Sequence, residues 1–193
     1  MNVREGELIW TKKEAVKSVL LYTLNLVILL LIAGLLLFWD NLGAFGQTFR
    51  ENRANFLYVM FCTLLLVWIL YFYFFFEHRR MLTDGRNIAL VFTVLDFSVL
   101  VSFLFGNYLH IYARPVALCA LLMLVLVGRR DAIFVNMVCA ILLFVIDAFS
   151  DSSVTANSVY SSFIIAFTAG MIAIFFGNKA KTRFQIVGIG LII

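Results

Sequence analysis

Residues 56–76 read FLYVMFCTLLLVWILYFYFFF and run directly into Glu77-His78-Arg79-Arg80. Coiled as an α-helix at 1.5 Å per residue, this charge-free stretch is about 31 Å long, the thickness of a bilayer's hydrocarbon layer. Apolar and polar residues do not alternate along it, so a spanning β-strand is excluded. Its aromatic end, Tyr71 to Phe76, followed by two arginines, reads as an interfacial belt with a cationic anchor.

Five further runs of the same kind flank it, at residues 18–38, 88–106, 109–127, 132–149 and 159–176, each bounded by charge or turn residues. The whole chain follows suit. Of its 193 residues, 64% are hydrophobic and 13% charged, with a mean hydropathy of +1.03; soluble domains lie near half apolar and a quarter charged. A soluble globular domain is excluded, and so are disordered, collagenous and disulfide-framework classes. The expected fold is an all-α membrane bundle with six complete transmembrane helices and the start of a seventh. The seventh run, residues 184–193, spans about 15 Å, half a crossing, which leads us to expect a longer polypeptide.

Short cytoplasmic loops collect Lys and Arg. One side of the six spans would hold Arg4, Lys12, Lys13, Lys17, Arg79, Arg80, Arg86, Arg129, Arg130, Lys179, Lys181 and Arg183; the other only Arg50, Arg53 and Arg114. The asymmetry places the amino terminus in the cytoplasm. It also accounts for the formal charge of +4 without a nucleic-acid partner. The first run is too long for a signal-peptide core and lacks a small-residue cleavage site after Phe38, so it reads as a retained anchor. The resulting division is a cytoplasmic segment 1–17, an anchor helix 18–38, an external loop 39–55 and a multi-helix membrane domain 56–193.

Two carboxylates lie inside the apolar runs. An acid in hydrocarbon costs at least about 2.5 kcal/mol and is a functional hypothesis by default. Asp96, near the middle of the third span with Thr93, Ser98 and Ser102 around it, is expected to face the bundle, either as a proton- or ligand-sensing group or as a hydrogen-bonded acid that fixes helix register. Asp147 lies near the outer end of the fifth span, at a depth comparable with Arg114 at the outer end of the fourth. Whether the two pair depends on packing order. Asn25 and Asn136 are mid-span amides suited to hydrogen bonds between helices. On the sixth span, Ser162, Ala166 and Gly170 form one row of small residues and Ala169, Ala173 and Gly177 a second, a face that lets another helix approach closely, within the chain or in a dimer.

Cys62, Cys119 and Cys139 sit on three spans without metal-ligand or disulfide spacing, and His78 and His110 lie at opposite membrane faces. No phosphate loop, nucleophile elbow or metal-binding helix motif is present. These residues hold no catalytic constellation, and no cofactor is expected in this chain.

Three soft motifs recur in order: Glu77-His78-Arg79-Arg80-Met81-Leu82-Thr83-Asp84-Gly85-Arg86-Asn87 after the aromatic span; Arg114-Pro115-Val116-Ala117 opening a short span that ends Gly128-Arg129-Arg130-Asp131-Ala132; and Asn178-Lys179-Ala180-Lys181-Thr182-Arg183-Phe184 before a Gly-containing helix. With their spacing, the chain from Phe56 to Ile193 resembles the membrane domain of the 7TM receptors with an intracellular HD hydrolase, a bacterial family that includes cyclic di-AMP phosphodiesterases. The resemblance implies a multi-pass protein of the bacterial inner membrane that anchors a cytoplasmic hydrolase in cis and transmits a signal to it. Phosphodiesterase chemistry and its metal ions would belong to the HD domain, since no His-Asp dipeptide occurs here. The sequence departs from the family where a large extracellular domain normally follows the anchor: only residues 39–55 intervene. Two other readings fit six helices in this length, a vitamin-transporter-like substrate-binding subunit and a cell-envelope scaffold subunit. The partners expected are the lipid bilayer, the hydrolase domain and, through a small-residue face, a second copy.

Overall fold

The computed structural model describes residues 12–39, 43, 45–77, 81–82, 84–150 and 156–177. Among them all regular structure is helical: α1 (Lys12–Leu37), the short α2 (Phe45–Glu51), α3 (Arg53–Glu77), α4 (Gly85–Tyr108), a 3-10 turn (Ile111–Ala113), α5 (Leu118–Leu126), α6 (Arg129–Phe149) and α7 (Ala156–Gly177). The apolar run at 184–193 lies outside the described residues.

Five of these helices are long and apolar enough to cross a membrane: α1 from Val16, α3, α4, α6 and α7 from Asn157. The expectation of six complete spanning helices is thus met by five, and the fourth run, residues 109–127, is a shorter apolar stretch that still carries the chain from the end of α4 to the start of α6. Pro115 lacks an N–H and disfavours helical backbone at the residue before it. Arg114 is accordingly extended, at φ −66° and ψ 134°, and α5 starts only at Leu118. Its nine residues span about 14 Å. Gly128 closes α5 by donating to the Met123 carbonyl at 3.1 Å and, at φ 151°, turns the chain into α6 through a conformation that favours glycine. Asp84 caps α4 by accepting the Arg86 N–H at 3.1 Å, and His110 Nδ1 accepts the Tyr112 N–H in the turn that follows α4.

The core gathers on α6, which packs against α1, α3, α4, α5 and α7. Its apolar window is 61% buried against 22% for α1, so α6 is the bundle's centre and α1 its margin. Even so, α1 belongs to the bundle rather than standing apart as a bare anchor. The Tyr22 hydroxyl donates to the Val67 carbonyl of α3 at 2.7 Å, and its ring meets Tyr71 and Phe92 edge-on at 5.3 and 5.0 Å. Outward surfaces of α1 and α3 are apolar, with Leu20, Leu31, Phe61 and Trp68 more than half exposed, as lipid contact requires.

Side-chain pairs fix which helix ends lie together. At one end Arg114 reaches Asp147, Asn55 donates to the Phe149 carbonyl and Tyr58 stacks on Phe149. At the other, Tyr73 donates to Asp131 at 3.1 Å, Arg130 meets Glu77 at 2.7 Å and the Arg129 guanidinium lies 4.9 Å over the Phe175 ring. From α3 onward the helices thus alternate in direction with α5 counted among them: α4 and α6 run the same way, and the abbreviated α5 returns the chain between them.

Candidate functional site: a buried ion pair between α5 and α6

Asp147 sits in the last turn of α6, where a carboxylate meets the negative end of the helix dipole and gains nothing from it. The cation it needs comes from Arg114, which the Pro115 break frees from helix and directs across the bundle. Arg114 Nη1 pairs with Asp147 Oδ2 and Nη2 donates to Oδ1 at 2.9 Å, the two-pronged geometry in which a planar guanidinium holds a carboxylate best. The side chains are 6% and 8% exposed. Removing two charges from water is expensive, so such a pair is held by its geometry and tolerates the loss of neither partner.

Gly106 makes the reach possible. A Cβ there would stand 2.6 Å from Nη2 and 2.7 Å from Cζ of Arg114, so the arginine runs through the notch that the missing side chain leaves on α4. Arg114 Nε is buried there without a hydrogen-bond partner. Beside the pair lies a cavity of about 10 Å³ lined by Arg114, Asp147, Ala140, Leu143, Ser162 and Ala166, the room of a single water.

The other sequence-derived positions separate into distinct environments. Asn136 on α6 is 2% exposed and fits a second notch: a Cβ at Gly170 of α7 would lie 2.6 Å from its Cγ. Its Nδ2 has no hydrogen-bond partner, so the residue serves here as a packing piece. Ser162, Ala166, Ala169 and Ala173 are buried on the face of α7 that meets α5 and α6, and Gly177 receives Leu124 of α5. The small-residue face thus packs within the chain. Asn25 donates to the Leu21 carbonyl of its own helix at 2.8 Å, where the sequence suggested a bond between helices.

Asp96 sits at the margin of the bundle it was expected to face. Ser98 and Ser102 point into the core at 1% and 2% exposure, but Asp96, two residues from Ser98 and hence on another side of the helix, is only half-buried at the bundle's rim. Its Oδ1 is buried without a partner. Sequence reasoning found Gly170 as part of a close-packing face but not Asn136 as the side chain that fills it, and it missed the Gly106 notch and the approach of Cys139 to Cys119 across α5 and α6. Among the described residues no group of three or more His, Cys, Asp or Glu is placed to hold a metal ion.

The arrangement can hold helices in register through a desolvated charge pair; it presents no nucleophile with a base beside it. The family model described as "7TM receptor with intracellular HD hydrolase" matches residues 53–193. No curated protein and no solved structure matches. The match covers nearly three quarters of the chain, including α3 to α7, both glycine notches and the ion pair, and this multi-pass membrane protein therefore belongs to the family of 7TM receptors with an intracellular HD hydrolase.

Proposed function

We propose that the chain is the membrane-anchoring and signal-transmitting domain of a bacterial HD phosphohydrolase, with cyclic di-AMP as the substrate of a cytoplasmic hydrolase domain in cis. The observation that carries this reading is the family match over residues 53–193. The geometry suggests how transmission would work. Helix α6 is gripped at one end by Arg114 and at the other by Tyr73 and Glu77 of α3, while Arg129 at its start lies over Phe175 of α7. A shift of α6 at the ion-pair end would alter how α3 and α7 sit at the opposite end. Ligand control through such a shift requires two packings that the ligand binds unequally. The 12-to-3 distribution of Lys and Arg supports a cytoplasmic amino terminus in the inner membrane, which puts the ion pair at the outer face.

The test is to express the protein of the complete reading frame in membranes and measure hydrolysis of cyclic di-AMP with and without divalent metal, for the native sequence and for Arg114→Lys. Metal-dependent hydrolysis whose rate shifts in the variant, at equal membrane content, supports the reading. An absence of hydrolysis with correctly inserted protein contradicts it.

A further inference from the structure

One line of residues on α6 stays outside the core. Arg130, Phe134, Met137, Ile141, Phe144 and Ala148 are half-buried or exposed and repeat at helical spacing. Aromatic contacts fix what flanks that line. On one side Tyr73 of α3 stacks on Phe134 with ring centroids 3.9 Å apart; on the other, Phe144 meets Tyr160 and Phe163 of α7 at 5.7 and 5.3 Å. Around the rest of α6, α3 packs on α1, α1 on α4, α4 on α5 and α5 on α7, yet among the described residues α7 and α3 share no packed interface. Six cylinders of equal width fit around a seventh, and α6 is ringed by five. The sixth place is an apolar groove, with Met137 on its floor, Ile69 of α3 on one wall and Met171 of α7 on the other.

We propose that the apolar run at residues 184–193 occupies this groove, antiparallel to α7, as the sixth neighbour of α6. Connectivity selects that occupant. Helix α7 ends at Gly177, at the end of the bundle where Arg129 lies over Phe175. From Gly177 to Phe184 the chain spans about 24 Å at full stretch. The groove borders α7 and lies one interaxial step of about 10 Å away, whereas the α1 side is three such steps around the ring, about 30 Å. Helices joined by short links pack as antiparallel neighbours, and the opposite flank of α7 is taken by α5. A helix laid on the outer side of α7 would touch that helix alone. In the groove it touches three, and in lipid it is packing contact that holds helices together. Gly188 and Gly190 let it approach the aromatic floor closely. The run reaches about 15 Å, the depth of Phe134 to Met137 on α6, which starts from the same end at Arg129. This placement concerns the chain's own packing and stands apart from any hydrolase activity.

The experiment compares Met137 with Ile172, which lies on the outer side of α7. The two are exposed to almost the same extent, 44% and 47%, and the contact of Asn136 with Gly170 puts them at similar depth. With Cys62, Cys119 and Cys139 replaced by Ala, a nitroxide is attached to Met137→Cys or to Ile172→Cys in full-length protein reconstituted into lipid vesicles. The proposal expects the label at 137 to be several-fold less accessible to oxygen than the label at 172. Paired cysteines identify what shields it. Met137→Cys and Ile69→Cys should form intrachain disulfides with cysteines placed on one helical face of residues 186–193, whereas Ile172→Cys and Leu24→Cys of α1 should not. Equal accessibility at 137 and 172 overturns the proposal by leaving lipid in the groove. So does a shielded 137 that links to no position of the run, and so do interchain disulfides from Met137→Cys alone, which would put a second copy there. The accessibility comparison alters one exposed side chain at a time, so it remains decisive if a paired variant fails to insert.

Discussion

Replacing Asp147 with Leu removes one half of an ion pair whose members are 6% and 8% exposed. The guanidinium left behind keeps no carboxylate. Its Nε is already unpartnered, and Gly106 of α4 confines it on one side. Breaking a buried pair from one side costs about 3–5 kcal/mol, roughly two to four powers of ten in the folding equilibrium. Arg114→Met together with Asp147→Leu leaves no buried charge, and such hydrophobic replacements are often neutral or stabilising. The double variant should therefore recover most of the loss and lie within about 2 kcal/mol of the native protein. The assay is reversible unfolding of the full chain in bicelles by added dodecyl sulfate, read as a four-member mutant cycle. A single-variant loss below about 1 kcal/mol, the scale of an exposed pair, would refute the claim that the pair is desolvated. So would a double variant as unstable as the two single losses added together.

The same cycle extends to the glycine notches. Gly106→Ala should destabilise the native protein but do little, or stabilise through helix propensity by up to about 1 kcal/mol, once Arg114 is Ala; melting of the two pairs of proteins checks this. Gly170→Ala should be rescued in part by Asn136→Ala, because its Cβ would otherwise lie 2.6 Å from the amide carbon, and equal melting of the single and double variants would contradict the packing. Tyr73→Phe keeps the ring that stacks on Phe134 at 3.9 Å but loses the bond to Asp131, a loss of about 1–3 kcal/mol for a hydrogen bond to a charged group. By contrast Glu77→Gln should change stability by about 0–1 kcal/mol, since Arg130 is 77% exposed; bicelle unfolding separates the two.

The crossings were legible in the sequence because hydrocarbon thickness leaves so few ways to write a spanning helix, and residues 56–76 state one almost without interruption. The abbreviated α5 was less so. Pro115, by holding Arg114 extended, delays the helix to Leu118 and in doing so frees the arginine to reach Asp147. The similar depth of Arg114 and Asp147 could be counted along the chain. Their pairing depends on α5 and α6 being neighbours, and on a glycine in a third helix, which no local pattern records. Asn25 and Asn136 look alike in sequence and differ in fate because one has a helix carbonyl within reach and the other a glycine notch facing it. Asp96 was placed by its polar neighbours, but Ser98 and Ser102 lie on a different side of α4, and periodicity weighed against those neighbours would have set it at the rim.

The most direct test is the sidedness of the two ends of α6, on which anchoring, transmission and the placement of the ion pair all rest. Single cysteines at exposed Arg130 and at Ser152 in otherwise cysteine-free protein should react with a membrane-impermeant maleimide from opposite sides of sealed vesicles, position 130 from the cytoplasmic side and position 152 from the outside. Labelling of both from one side would contradict a crossing by α6, and reversed labelling would contradict the cytoplasmic amino terminus.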